Sequence, residues 1–155
     1  MGIFKKTALA GALILAAPTV EGSEDLYHQL ECLAKNIYFE SRNQPLIGKV
    51  AVAQVTLNRV KSDKFPDTIC KVVEQTRSKR SCQFSWFCDG KSDEPDDAKQ
   101  WSIARETATL AYSNFMFDVT EGSLWYHADY ILRPRWARKL KEKVKINEHI
   151  FYAEK

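Results

Sequence analysis

LAKNIYFESRNQPLIGKVAVAQVTLNRV, Leu33 to Val60, holds two apolar periods of helical spacing on either side of the break RNQP. Upstream, SEDLYHQLEC carries the first period back to Ser23. Leu26, Leu30, Leu33 and Ile37 then share a face, Ser23 is a suitable N-cap, and acidic residues occupy the first turn. The spacing predicts a helix from Ser23 to about Arg42. Pro45 fits the first turn of a second helix, in which Leu46, Val50, Ala53 or Gln54, Leu57 and Val60 line one side. So short a connection makes the two helices antiparallel neighbours.

One charge in this stretch is out of place. Glu40 follows the apolar run Ile37, Tyr38, Phe39 and falls near the C-terminal end of its helix, where the helix dipole disfavours a negative charge. Aromatic neighbours and partial burial push the same way, toward the protonated acid. A carboxyl held neutral near pH 7 can donate a proton to a leaving oxygen and then take one back, the paired roles of general acid and base in glycoside cleavage. The bland alternative is an ion pair with Arg42 or Arg59.

Beyond Val60, Pro66 opens a third, shorter helix in PDTICKVVEQ, whose Ile69, Val72 and Val73 face the core. A fourth, from about Asp96 to Asn114, turns Trp101, Ala104, Ala108 and Leu110 or Ala111 inward. CQFSWF, SLWYHA and HIFYA are short, aromatic and bounded by turn residues such as Gly90, Gly122 and Asn147, which predicts strands of a small antiparallel sheet. The basic runs RSKR (77–80) and RPRWARKLKEKVK (133–145) ordinarily form a solvated helix face. With no repeat or linker, the expectation is one α+β domain, mostly helical.

The chain has 155 residues, a formal charge of +3 and 45% hydrophobic residues, ordinary values for one globular domain. Lys5 and Lys6 precede an uncharged run, Thr7 to Ala17, of secretory-signal length. Residues 1–22 are therefore expected to be a signal peptide, cleaved after Gly22, with residues 23–155 as the mature domain; an uncleaved signal anchor is the alternative. Either places the domain in the periplasm or outside the cell, with no stable membrane span after cleavage. In an oxidising compartment Cys32, Cys70, Cys82 and Cys88 are expected to pair. Of three possible connectivities, Cys82 with Cys88 and Cys32 with Cys70 is preferred. Their spacing matches no common zinc motif, so no metal is expected. The basic runs suit an anionic polymer outside the cell, whereas nothing reads base edges, so nucleic acid is not an expected partner.

Five segments carry a resemblance: NIYFESRNQPLIGKVAVAQVTLNRV (36–60), FPDTICKVVEQ (65–75), CQFSWFCDG (82–90), DVTEGSLWYHADYILRPRWA (118–137) and INEHIFY (146–152). In this order they resemble the successive blocks of the cell wall hydrolase family of spore-cortex-lytic (SleB-like) enzymes. The resemblance implies a lysozyme-like fold and a lytic transglycosylase that cuts peptidoglycan glycan strands with one essential glutamate, without a cofactor. The glutamate of the family's Y-x-E-x-R block is Glu40 here. The family often has Gly or His where Phe39 stands and Ala at Ser41. Its last block commonly reads Gly-Asn-His where this chain has Asn147, Glu148 and His149.

Such chemistry needs one tuned acid, donors that fix the sugar's acetamido group, and a cleft poor in water. Gln83, Ser85, Tyr126 and His127 are the donor candidates. Trp86, Trp125 and Tyr126 are candidates for stacking on sugar faces, or for the core. Asp118 in DVTEG reads first as a turn residue; otherwise it partners His127 or acts as the second carboxylate of a hydrolytic muramidase. A non-catalytic peptidoglycan-binding module and a metal-dependent amidase are the remaining alternatives, and a monomer is expected.

Overall fold

The computed structural model describes residues 20–78, 81–113 and 115–155. The expected signal peptide lies almost wholly outside them, and no helix among them is long and apolar enough to cross a membrane. Helices α1 (Val20–Ser41), α2 (Leu46–Lys61), α3 (Ile69–Val73) and α4 (Ala98–Tyr112) make up most of the regular structure. Strands β1 (Thr76–Ser78) and β2 (Ser81–Cys82) form a small hairpin, and β3 (Trp125–Ala128), β4 (Lys141–Ile146) and β5 (His149–Ala153) form an antiparallel sheet in the order β3-β5-β4. The fold is thus α+β, mostly helical, in one domain.

The two-helix reading holds with two corrections. Helix α1 runs through Ser23, which is therefore not its cap. In α2 the expected one-sided pattern fails: Leu46 is exposed, yet every residue from Gly48 to Thr56 is buried. A helix buried all round is a central one. Its one side meets α1 and α4 through Ala53, and its other meets the sheet through Ala51 and Val55 against Ile146 and Phe151. Gly48 lets the β4–β5 turn approach closely, since a Cβ there would lie 2.8 Å from the Asn147 side-chain nitrogen.

Buried Lys49 locks the α1–α2 turn, its Nζ donating to the Arg42 and Gln44 carbonyls at 2.7 and 2.5 Å. A cation is favourable there, because the last helical carbonyls lack partners. One turn earlier in α1, Tyr38 donates to Asp96 at 2.7 Å and accepts from the Asp96 and Asp97 backbone, fixing the start of α4. That helix buries Ala104, Ala108 and Ala111, and leaves Leu110 outside.

Three segments differ from expectation, the first being helix α3, which starts at Ile69 with Thr68 as its N-cap rather than at Pro66. CQFSWF is not a strand: after Ser81–Cys82 it turns into a 3-10 helix, Ser85–Cys88. Buried Asn36 takes the Trp86 Nε1 hydrogen at 3.1 Å and donates to Thr56, so the core pulls the segment inward. The basic run is not a helix face either. It forms a 3-10 turn, Trp136–Lys139, and then β4, an edge strand whose lysines suit an exposed sheet edge.

Both preferred disulfides are present, Cys32–Cys70 joining α1 to α3 and Cys82–Cys88 closing the short loop. Cross-links over 38 and 6 residues restrict the unfolded chain unequally. Replacing Cys32 and Cys70 with alanine is expected to cost roughly 4 kcal/mol in urea unfolding, against roughly 2 kcal/mol for the Cys82–Cys88 pair. Equal costs would show that loop closure is not the dominant effect.

Candidate active site

Edge strand β3 faces the segment 82–86 across a cleft of about 990 Å³, and the turn 134–140 closes one side. Glu40 enters this cleft from the last turn of α1. The register pairs Tyr126 with Phe151 and Ala128 with His149, so Tyr126 and His149 are diagonal neighbours on the helix-facing side of the sheet. Their rings meet edge to face at 5.1 Å.

Tyr126 donates its hydroxyl proton to Glu40 Oε2 at 2.9 Å. Glu40 keeps partial access to the cleft, while protein packed around its carboxyl removes most of its water. Burial raises its pKa above the ordinary 4.5; the Tyr126 hydrogen bond and the positive charge of Arg59 oppose this without overcoming it. Burial, and then the charge of Glu40, push the Tyr126 phenol well above 10, so it remains a donor. The ion-pair reading of Glu40 fares differently at its two arginines. Arg42 turns away to Tyr38 and Asp96, whereas Arg59 stays in the cleft wall, its Nε donating to the Leu124 carbonyl at 2.7 Å.

The other predicted residues separate into two groups. Gln83, Ser85, Trp86, Tyr126 and His127 all line the cleft with Glu40. Ser85 is exposed in the wall, and Trp86 is mostly buried, stacked on Phe39 at 4.7 Å. His127 is buried with both nitrogens engaged, donating from Nδ1 to the Ala128 carbonyl and meeting the Tyr152 hydroxyl at Nε2. Asp118 is not in the cleft wall. Burial opposes its ionisation, but hydrogen bonds from Thr120, Asn58 and Gly122 outweigh that and hold its pKa below normal; they make it the organiser of a turn.

Sequence reasoning missed His149. It is buried in the cleft wall, and its Nδ1 has no hydrogen-bond partner among the described residues. Burial lowers its pKa against the opposing pull of Glu148 and Asp129, so the ring is neutral near pH 7. If the unpartnered Nδ1 is a lone pair, the neutral ring carries its proton on Nε2 as a donor. Strand alternation in HIFYA, which puts His149 on the face of Phe151, was the available signal. Tyr130 and Trp136 were also missed; both reach the cleft from exposed positions.

A second hollow, around Arg42, Asn43 and residues 96–99, has only exposed residues. Among the described residues, the cluster with metal-ligand spacing joins His28 to Cys32 and Cys70, whose sulfurs are already bonded to each other.

Comparisons with known proteins agree with this geometry. The spore cortex-lytic enzyme of Bacillus cereus is 31% identical over 126 residues, 80% of this chain but 44% of that protein's length. The chain thus spans less than half of this relative. The crystal structure of the catalytic domain of the Bacillus cereus SleB protein superposes with a TM-score of 0.66 at 29% identity, covering 82% of this chain and 91% of that one. The catalytic domain of the germination-specific lytic transglycosylase SleB from Bacillus anthracis gives 0.65 at 29% identity, covering 81% and 93%. The Cell Wall Hydrolase family profile matches residues 43–152, starting just after Glu40, so the case for that glutamate rests on the cleft itself. With the profile spanning most of the chain and the fold shared with two catalytic domains of this kind, the protein belongs to the cell wall hydrolase family.

Proposed function

We propose that the protein cleaves the glycan strand of peptidoglycan as a lytic transglycosylase, at the bond from N-acetylmuramic acid to N-acetylglucosamine, outside the cytoplasmic membrane. The observation that carries this reading is Glu40, whose pKa burial raises, at a sugar-sized cleft in which it is the one carboxylate among the described lining residues. Protonated Glu40 gives its proton to the glycosidic oxygen, and the bond from that oxygen to the anomeric carbon breaks. The Glu40 carboxylate then takes the proton of the muramic C6 hydroxyl as that oxygen attacks the anomeric carbon, leaving a 1,6-anhydro end. A single acid that is returned to its starting state serves both steps. Tyr126 holds the acid in place, and His149, Gln83 and Ser85 are the donors for the substrate's acetamido groups. Tyr130 and Trp136 offer exposed rings for sugar faces. The two disulfides suit an oxidising compartment.

Hydrolysis by a muramidase would need a second carboxylate to activate water, and Asp118 is engaged in its turn instead. Digestion of purified peptidoglycan followed by mass spectrometry separates the two. The expected muropeptides carry anhydro ends, one water lighter than reducing ends; reducing ends alone would overturn the transglycosylase reading. Intact walls that merely pellet with the protein would instead indicate a binding module.

A further inference from the structure

The charges on the cleft wall do not match a bare glycan. Beside Glu40, the charged lining residues are Arg59, Arg135 and Lys139. Arg135 and Lys139 are exposed, and no acid among the described residues pairs with either. They sit where the chain turns after Pro134: Arg135 precedes the 3-10 turn Trp136–Lys139, in which residues three apart eclipse. Trp136 and Lys139 therefore project to one side, and both reach the cleft. The nearby Arg133, by contrast, is held on Tyr152 and the Ala137 carbonyl, outside the lining.

N-acetylated sugars carry no charge that would call for two uncompensated cations beside an aromatic ring. The anionic part of peptidoglycan is the stem peptide, attached through the lactyl group of the muramic sugar whose bond is cut. A strand seated with its muramic sugar at Glu40 would carry its stem beside the cleft that Arg135 and Lys139 also line. We infer that Arg135 and Lys139 form a subsite for the free carboxylates of the stem peptide, so that stem-bearing strands are preferred over denuded ones. This inference rests on the glycan-cleaving reading above.

The test compares three soluble glycan substrates of equal length: stem-bearing, stripped of stems by an amidase, and stem-bearing with its carboxylates amidated. Wild-type kcat/KM is expected to be about ten-fold higher on the first than on the other two, the usual weight of one or two charge-assisted hydrogen bonds. In an Arg135→Gln/Lys139→Gln variant that ratio should fall close to one. Lys61→Gln/Lys155→Gln removes the same charge outside the cleft and should keep the preference. Equal wild-type rates on all three substrates would overturn the subsite. So would a preference that survives in the cleft variant, or that vanishes equally in the distal control, which would mean general attraction to polyanions. Equal rates on stem-bearing and amidated strands, both above the denuded one, would mean that stem bulk rather than charge is read. Cleavage of none of the three would instead sink the glycan-cleaving reading itself.

Discussion

Glu40→Gln is expected to lower strand cleavage by roughly 10³-fold, the span usual for loss of a general acid, while co-sedimentation with cell walls persists. The substitution keeps the shape of the side chain and an oxygen able to accept the Tyr126 hydrogen bond. It removes only the proton that the leaving oxygen needs. Lysis unchanged in this variant would show that Glu40 does not carry the reaction. Stability supplies an independent reading with the opposite sign. Because the folded state raises the Glu40 pKa above 4.5, folding favours the protonated acid. That advantage is complete below the unfolded pKa and is lost as pH rises through the folded value. Above its folded pKa the wild type therefore holds a poorly solvated charge that glutamine lacks. The variant's Tm should exceed the wild type's there, and the difference should shrink toward pH 4. A variant that is inactive yet more stable is the signature of a residue kept for chemistry rather than for the fold.

The amino-acid order alone makes the α1–α2 hairpin legible, because burial in α1 follows the helical period from Leu33 to Ile37 and because Pro45 marks the second start. The displaced charge of Glu40 is legible for the same reason, since a helical face can be counted. Strands β3 and β5 show as short aromatic runs. β4 does not, because Lys141, Glu142, Lys143 and Lys145 hide an alternation that only Val144 and Ile146 mark, and a charged edge strand resembles a wet helix. The 3-10 turn at Ser85–Cys88 depends on Asn36, fifty residues away, accepting from Trp86. No local propensity encodes that contact. The surroundings of Glu40 are harder still. Glu40, Arg59, Tyr126 and His149 come from four elements, and only the strand register makes Tyr126 and His149 neighbours.

The partnership of Tyr126 with Glu40 gives the second large effect, and its direction is not obvious. Tyr126→Phe keeps the ring, so the contacts with His149 at 5.1 Å and Phe151 at 5.5 Å survive. The stability loss should stay near about 1 kcal/mol, as for one hydrogen bond. What disappears is a donor that favours the Glu40 carboxylate over the acid. Without it burial is opposed by Arg59 alone, and the Glu40 pKa rises further. If only protonation mattered, the variant would hold its acid to higher pH and gain activity there. The hydroxyl also fixes where the carboxyl points, and small misplacement of a proton donor is costly. A further rise in pKa gains activity only on the alkaline limb, whereas lost orientation lowers the rate at every pH, so the loss dominates. The expected result is a maximal rate lowered by about ten- to a hundred-fold together with an alkaline limb of the pH–rate profile moved upward. A ring that merely stacked on sugar would tolerate phenylalanine with neither change. An unmoved limb with a full rate would therefore remove Tyr126 from the reaction and leave it a wall of the cleft.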